Sequence, residues 1–465
     1  KFNHEIKIHK LDGNIRYLKH QLNLQLLRSL NAYNYSQNNI EIQVSNLIQN
    51  ASILINKGLF DQAHKTIQQA KTIAKEHELI LYLLDCFRKE KHISRELYQI
   101  DWIEYYTNEG SFEEKKLLIE YEKTYDIYKA RNELIFINNS TNDANTIIKI
   151  ENFILNINHR EDSSFEILET EYITKAYLYI TKKEYENAKK FQKLLISLFE
   201  KHPNQINLNQ ANYLSALYNL LVSSFILKDF EQVELILQKL DNYRNSSANR
   251  LVNLKLFNYI NIGLAFYNLN GDFKKSCSYQ PLIHKGLVYF NQSIHIYAKM
   301  SLFLHLVTAH IGIGDYEKAN YWVDRAITEI TTKNLLHYFL AKILQLIIIY
   351  EEKRYTYLVH LSKELSEDLV TLKNDYQSFK IIVDFFKIHK FHLLNKKQLN
   401  LVFNEFKEEL ETFINTKNEK SIFDVFDIIT WINSHIYNQS FDYLIKLKFK
   451  DYYEPIIKKH HKNSP

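Results

Sequence analysis

The chain is poor in the residues that break or cross-link a backbone: 465 residues contain 8 Gly, 4 Pro, 2 Cys and 1 Met. Scarce glycine and proline leave few sites for two-residue hairpins or glycine-rich phosphate loops, which argues against sheet-rich and dinucleotide-binding folds. Two cysteines, Cys86 and Cys277, cannot build a disulfide framework. Each sits in an apolar helical stretch and reads as a small core residue, so a reducing, cytoplasmic setting is expected. No charge of one sign dominates, since 59 basic and 54 acidic residues leave +5. That balance imposes neither a nucleic-acid nor a membrane partner. No apolar run is long enough to span a bilayer; the best, Phe339 to Tyr350, is short and holds Lys342 and Gln345. The opening Lys1-Phe2-Asn3-His4 is no signal peptide. With no methionine at its start, the sequence reads as part of a longer gene product with an upstream segment.

What remains is helical patterning. In the stretch from Ser301 to Ile327, Phe303, Leu306, Val307 and His310 share a helical stripe, Gly314-Asp315-Tyr316 breaks it, and Ala319, Val323 and Ala326 start another. Gly314 can take the left-handed conformation that ends a helix, and Asp315 is placed to cap the next. Tyr316 can pack back over the junction, and Ala319 lets the paired helices approach closely. The unit recurs earlier: Leu47, Ala51 and Leu54, then Gly58-Leu59-Phe60-Asp61, then Ala63, Ile67 and Ala70. It recurs again with turn aromatics at Tyr185, Phe230, Phe273, Tyr316 and Tyr355, spaced by 45, 43, 43 and 39 residues. Three residues after each come Ala188, Val233, Ser276, Ala319 and Leu358. Pro203 closes the hairpin that begins at Glu184.

Elsewhere the register is weaker. Ile15, Leu18, Leu22, Leu26 and Leu30 make one stripe in a basic segment that ends in the polar loop Asn34 to Asn39. Between about 78 and 160 the repeat blurs into longer helices: Ile93, Leu97, Ile100 and Ile103 form one stripe, and Leu117, Leu118, Tyr121, Tyr125 and Tyr128 another. A break at Asn108-Glu109-Gly110 separates them, and Asn138 to Asn142 reads as a loop. After 365 only periodicity persists, through Phe379, Ile382, Phe386, Leu399, Phe403 and Phe406, then Phe423, Phe426, Ile429, Ile432 and Ile436. The expected division is an N-terminal helical segment over 1–40, a hairpin with diverged repeats over 41–160, a repeat array over 161–365, and a helical region with a basic tail over 366–465.

These turns resemble the tetratricopeptide repeat, whose helical hairpins stack into a solenoid, although that repeat is about 34 residues long and these are longer. The stretches Leu59-Phe60-Asp61-Gln62-Ala63, Ile313 to Ala319 and Leu346 to Tyr355 are similar to a family of bacterial helical-repeat proteins with no assigned activity. That resemblance covers roughly residues 20 to 440. It implies an all-α solenoid of antiparallel helix pairs, found inside a bacterial cell, and transfers no functional residue.

Patterns that carry chemistry are scarce. No GxxxxGK[ST], GxGxxG, HExxH or GxSxG run occurs. Gly312-Ile313-Gly314 belongs to a hairpin turn. His305 with His310, and His389 with His392, lack a third ligand at zinc-site spacing. Glu169 with Glu171, and Glu113 with Glu114, miss the i,i+3 or i,i+4 spacing of one helix face and read as solvated. The Asn291-Gln292-Ser293 sequon matters only in a secreted eukaryotic protein. The chain is therefore expected to be non-catalytic, with no cofactor and no metal.

In stacked hairpins the first helix of each pair lines the inner surface. Those positions include Ile173 and Tyr177, Tyr218 and Val222, then Asn258, Asn261 and Asn268, then Ser301, Leu304 and Thr308. Rings supply contact area and amides satisfy main-chain groups, so Tyr177, Tyr218, Asn258, Asn261 and Asn268 form the expected surface for a protein or peptide partner. The Lys/Arg/Asn clamp of some tetratricopeptide domains is not matched, because Leu304 and Thr308 occupy the inward sites. The alternative is a regulator that contacts nucleic acid through its basic ends, Lys1 to Arg28 and Lys458 to Lys462, or through an upstream domain.

Overall fold

The computed structural model describes residues 15–30, 39–140, 144–157, 163–243, 250–329, 336–370, 377–414 and 424–462. Among them every regular element is a helix and none is a strand. The chain divides into two compact units, 1–213 and 214–465.

The first unit begins with helix α1, residues 15–30. Its stripe is exposed, Leu18 at 64% and Leu22 at 58%. Then come α2 (Ile40–Asn56), α3 (Phe60–Glu76) and α4 (Ile80–Glu96), each of 17 residues. Asn39, at the end of the expected polar loop, caps α2 by accepting from the Ile42 amide; residues 31–38 lie outside the described set. Between α2 and α3, Ala51, Ala63, Ile67 and Ala70 are fully buried, and Leu47 and Leu54 flank them. Small side chains at the contact let the helices close, so a thin layer of Val44 and Ile48 suffices to fill it. Helices α5 (Ile100–Thr107), α6 (Glu109–Ser140) and α7 (Ala144–Leu155) follow. The unit continues with α8 (Phe165–Thr181), α9 (Tyr185–Lys201), and α10 (Pro203–Leu208), which starts at the proline. The division between units falls inside α11 (Gln210–Ile226).

The second unit carries α12 (Phe230–Asn242), α13 (Arg250–Leu269), α14 (Phe273–Cys277), α15 (Gln280–Phe290), α16 (Ile296–Gly312) and α17 (Tyr316–Glu329). It ends with α18 (Leu336–Glu351), α19 (Tyr355–Leu369), α20 (Gln377–Ile388), α21 (Lys396–Ile414), α22 (Ile428–Tyr437) and α23 (Phe441–Lys462). Helix α14 is short because Pro281 has no N–H and cannot continue a helix begun at Phe273; the chain restarts as α15 with the proline in its first turn. Helices α16 and α18 are apolar nearly all round, as buried central helices must be; Leu304, Leu306, Phe339 and Ile347 are all fully enclosed.

The hairpin turns repeat one backbone device. Gly58, Lys183, Lys228, Gly271, Gly314 and Lys353 all have φ between 58° and 75°. At five of them the amide that comes next bonds to the carbonyl five residues back: Leu59 to Leu54 at 3.0 Å, Glu184 to Tyr179 at 2.8 Å, Asp229 to Ser224 at 2.9 Å, Asp315 to His310 at 2.9 Å and Arg354 to Ile349 at 3.1 Å, whereas after Gly271 the Asp272 amide donates to Asn270 Oδ1 at 2.9 Å. This is a Schellman closure, and it is strong enough to hold lysine in a conformation that disfavours a Cβ by about 1–2 kcal/mol. The next helix starts at the turn aromatic, two residues on. Five residues after the turn residue, Ala63, Ala188, Val233, Ser276, Ala319 and Leu358 are all 0% exposed. Asp229, Asp272 and Asp315 cap their helices by accepting from the amides of Gln232, Lys275 and Lys318.

Two expectations need correction. The repeat does not blur at 78: Glu78 and Tyr98 take positive φ as well, and Leu79 and Gln99 bond back to Ala74 and Ser94. The Ile93-to-Ile103 stripe therefore crosses a turn, and Ile100 is 77% exposed. The 138–142 loop is helical as far as Ser140, where α6 ends, and residues 141–142 lie outside the described set, as does Phe423. The break at Asn108 is where expected, between α5 and α6.

Within each unit, helices pack on the next and on the next but one: α2 on α3 and α4, α16 on α17 and α18, α18 on α19 and α20. No helix among the described residues is long and apolar enough to cross a membrane.

Candidate functional site

Tyr218 on α11, Asn258 and Asn261 on α13, and Ser301 and His305 on α16 line one cleft of about 260 Å³. Apolar residues, Phe257, Ile262 and Leu302 among them, make its walls. Asn258 is exposed at the surface, while Tyr218, Asn261 and Ser301 are half-buried. Loss of water around the Tyr218 hydroxyl raises its pKa. His305 is 7% exposed, and burial pushes its pKa down to about 4, so the ring is neutral at physiological pH. Asn261 Oδ1 and His305 Nδ1 are both buried without a hydrogen-bond partner.

The other expected positions lie elsewhere. Tyr177 is in the first unit, packed beside the apolar cluster of Ala130, Leu134, Ile150 and Leu178. Asn268 is 6% exposed and uses its Nδ2 to donate to the His305 carbonyl at 2.8 Å, tying α13 to α16. It faces a second cavity of about 780 Å³, closed on its other side by the segment from Asp424 to Phe449. Leu304 and Thr308 are buried, and the Thr308 hydroxyl donates to the Val425 carbonyl at 3.0 Å. The C-terminal helices thus cover part of the surface expected to be open: Phe441 stacks on Phe273, and Phe449 meets Phe230.

The charged pairs also differ from expectation. Glu169 and Glu171 are not solvated but 7% and 0% exposed. Burial pushes the Glu169 carboxyl up to about 7, against a hydrogen bond from Asn212 at 3.1 Å. Glu171 pairs with Lys175 one turn on. Spacing alone missed them because both faces of α8 are enclosed. Glu351 was not singled out either. Burial favours its neutral form, yet bonds from His435, Trp431 and Tyr316 overcome that and hold its pKa below the usual value. It anchors α22 to α18.

Cys86 is a core residue, whereas Cys277 is half-buried, its Sγ 3.7 Å from His310 Nδ1. His310 Nε2 lies 2.9 Å from Gln280 Oε1, which leaves Nδ1 as an acceptor toward the thiol. The order Cys–His–amide suits a nucleophile, but burial pushes the thiol up to about 12 and lowers the imidazole pKa. The pair stays neutral, and neither side chain lines any of the cavities described above. Among the described residues no three His, Cys, Asp or Glu side chains gather as a metal site.

In the first unit, Tyr121, Tyr125, Tyr128 and Phe136 on α6 line an open groove of about 860 Å³. The tyrosines of that stripe are surface residues, Tyr125 at 60% exposure, and the buried face of α6 is Thr124, Ile127, Ala130 and Leu134.

Compared with protein-family models and with curated protein sequences, the chain matches none. The likeness to tetratricopeptide repeats rests on the turn residues alone.

Proposed function

We propose that this chain is a non-catalytic helical-repeat scaffold that binds a peptide or protein segment at the cleft of Tyr218, Asn258, Asn261 and Ser301. The recurring Schellman turns, the buried residue five positions after each, and the next-but-one packing support tetratricopeptide-like hairpins stacked as an α-solenoid. The observation that carries the binding role is the cleft itself, where the Tyr218 ring adjoins the amides of Asn258 and Asn261. A tyrosine contributes rigid contact area, and the amides match main-chain groups.

Selection from a displayed random-peptide library on the purified chain tests this reading. Peptides are expected to enrich on the wild type and to lose binding on a Tyr218→Ala/Asn258→Ala double variant. If none enriches, or if the enriched peptides bind the variant equally, the assignment is wrong. A second reading is favoured by one observation: α1 carries Arg16, Lys19 and Arg28, no acidic residue, and an exposed surface. Salt-dependent retention on DNA or RNA, lost when residues 1–30 are removed, would make the chain a nucleic-acid-contacting regulator.

A further inference from the structure

The first unit leaves two apolar surfaces open to water. One is the stripe of α1, where Ile15, Leu18, Leu22, Leu26 and Leu30 are each between 43% and 64% exposed. None of the residues of that helix is buried. A leucine stripe at helical spacing is the face that a helix lays against another surface, and an exposed apolar patch of this kind marks an interface. The other is the groove on α6, lined along one stripe by Tyr121, Tyr125, Tyr128, Asn132 and Phe136 and flanked by Leu81 of α4. Tyr125, Phe136 and Leu81 are 60%, 69% and 58% exposed. The chain's own α1 does not line that groove.

We propose that α1 of one copy docks in the α6 groove of a second copy, and that the reciprocal contact makes an arm-exchanged dimer. Length supports this occupant: Ile15 to Leu30 and Tyr121 to Phe136 each cover 15 residue steps, about 22 Å of helix. Spacing supports it too, since both stripes advance by three or four residues at a time, and such rows interdigitate when two helices pack. Charge is the third argument. Helix α1 carries Arg16, Lys19 and Arg28 and no acid, whereas the groove sets Glu133 and Glu166 against one cation, Lys129. Burial, and after it the Glu78 carboxylate, raise the Glu166 pKa, so a cation arriving there gains Coulomb attraction. Exchange of identical arms is isologous, closes at two copies and makes the contact twice, which doubles the area buried.

Sedimentation velocity on the intact chain, run across the micromolar range, reads the association directly. A concentration-dependent dimer is expected. Leu22→Glu and Tyr125→Glu replace side chains that are 58% and 60% exposed, so the fold should survive each change; circular dichroism and the thermal midpoint check that it does. Each substitution is expected to weaken the dimer about a hundredfold, because it puts a charge into both copies of the apolar contact. An equimolar mixture of the two variants restores one intact pairing of arm and groove, and should associate more tightly than either variant alone. A chain that stays monomeric throughout the range overturns the proposal, whether α1 folds back on its own groove or serves a nucleic acid instead. A dimer that neither substitution weakens overturns it as well, since the copies then meet through another surface. So does a mixture no tighter than its components.

Discussion

The turns at Gly314 and Gly271 share φ of 73° and 75°, an aspartate next in sequence that caps the following helix, and an aromatic after it, although the Asp315 amide donates to the His310 carbonyl and the Asp272 amide to Asn270 Oδ1. Their surroundings are opposite. Around Gly314 a Cβ would meet nothing within 4 Å, as at Gly58. At Gly271 it would meet Lys446 Cγ at 2.7 Å and the Asp442 carbonyl at 3.2 Å, because α23 lies against the turn. Two residues before Gly314, Gly312 is glycine for a third reason: the Phe273 ring occupies the place of its side chain, 2.3 Å away. Equal local signals thus conceal three different roles, an unhindered left-handed cap, a covered cap and a seat for a neighbouring ring.

The contrast between the two turns is most exposed at Gly271. Gly271→Ala adds left-handed strain to overpacking against a backbone carbonyl, and about 3 kcal/mol of destabilisation is expected from chemical denaturation. A loss near 1 kcal/mol would mean that α23 does not press on the turn. Ala319→Phe, at the fully buried contact behind the Gly314 turn, should lower stability by about 1–3 kcal/mol through overpacking alone. Gly314→Ala has strain and no clash, so about 1 kcal/mol is expected; a larger loss would erase the distinction between the two turns. The reverse change sharpens it: Lys353 already sits at φ 60°, and Lys353→Gly should stabilise by a few tenths to about 1 kcal/mol. The smallest effect on folding concerns Cys277, behind the Gly271 turn. With its thiol pushed up to about 12, little thiolate exists at pH 8, and iodoacetamide should label it at least a hundredfold more slowly than a free thiol in solution. Rapid labelling in the folded state would show that the contact with His310 activates the thiol after all.

Acid–base behaviour separates the two units in a similar way. Glu169, raised in the folded state to about 7, is protonated there while the unfolded chain ionises near 4.5. Its contribution is therefore lost as pH rises from about 4.5 to 7, by up to about 3 kcal/mol. Glu169→Gln should flatten that part of a stability–pH curve. His305, depressed to about 4 from 6.5, acts in the opposite direction: the unfolded state gains a proton first, so stability falls as pH drops from about 6.5 toward 4. His305→Leu should remove that fall.

Helix content, the aromatic that opens each second helix and the small residue behind it were legible in the chain, since each depends on residues within one or two turns. Turns at Lys183, Lys228 and Lys353 could be placed only through their aromatics, because a lysine does not announce positive φ. Those at Glu78 and Tyr98 lacked even an aromatic in the right place and were missed. Of the five residues proposed for a partner, Tyr218, Asn258 and Asn261 meet in one cleft. Periodicity placed Asn268 on the same stripe, but nothing near it in sequence reveals that Asp424 to Phe449 closes over its cavity.

The sequence by itself determined the helical class and the hairpins marked by a turn aromatic with a buried residue three positions on, because hydrogen bonding and capping act over a few residues. Only the tertiary structure decided which inward faces stay open, which acids are buried and which glycines are crowded. Those properties belong to contacts between residues such as Gly271 and Lys446, or Thr308 and Val425, separated by more than a hundred positions, where local pattern carries no record of the neighbour.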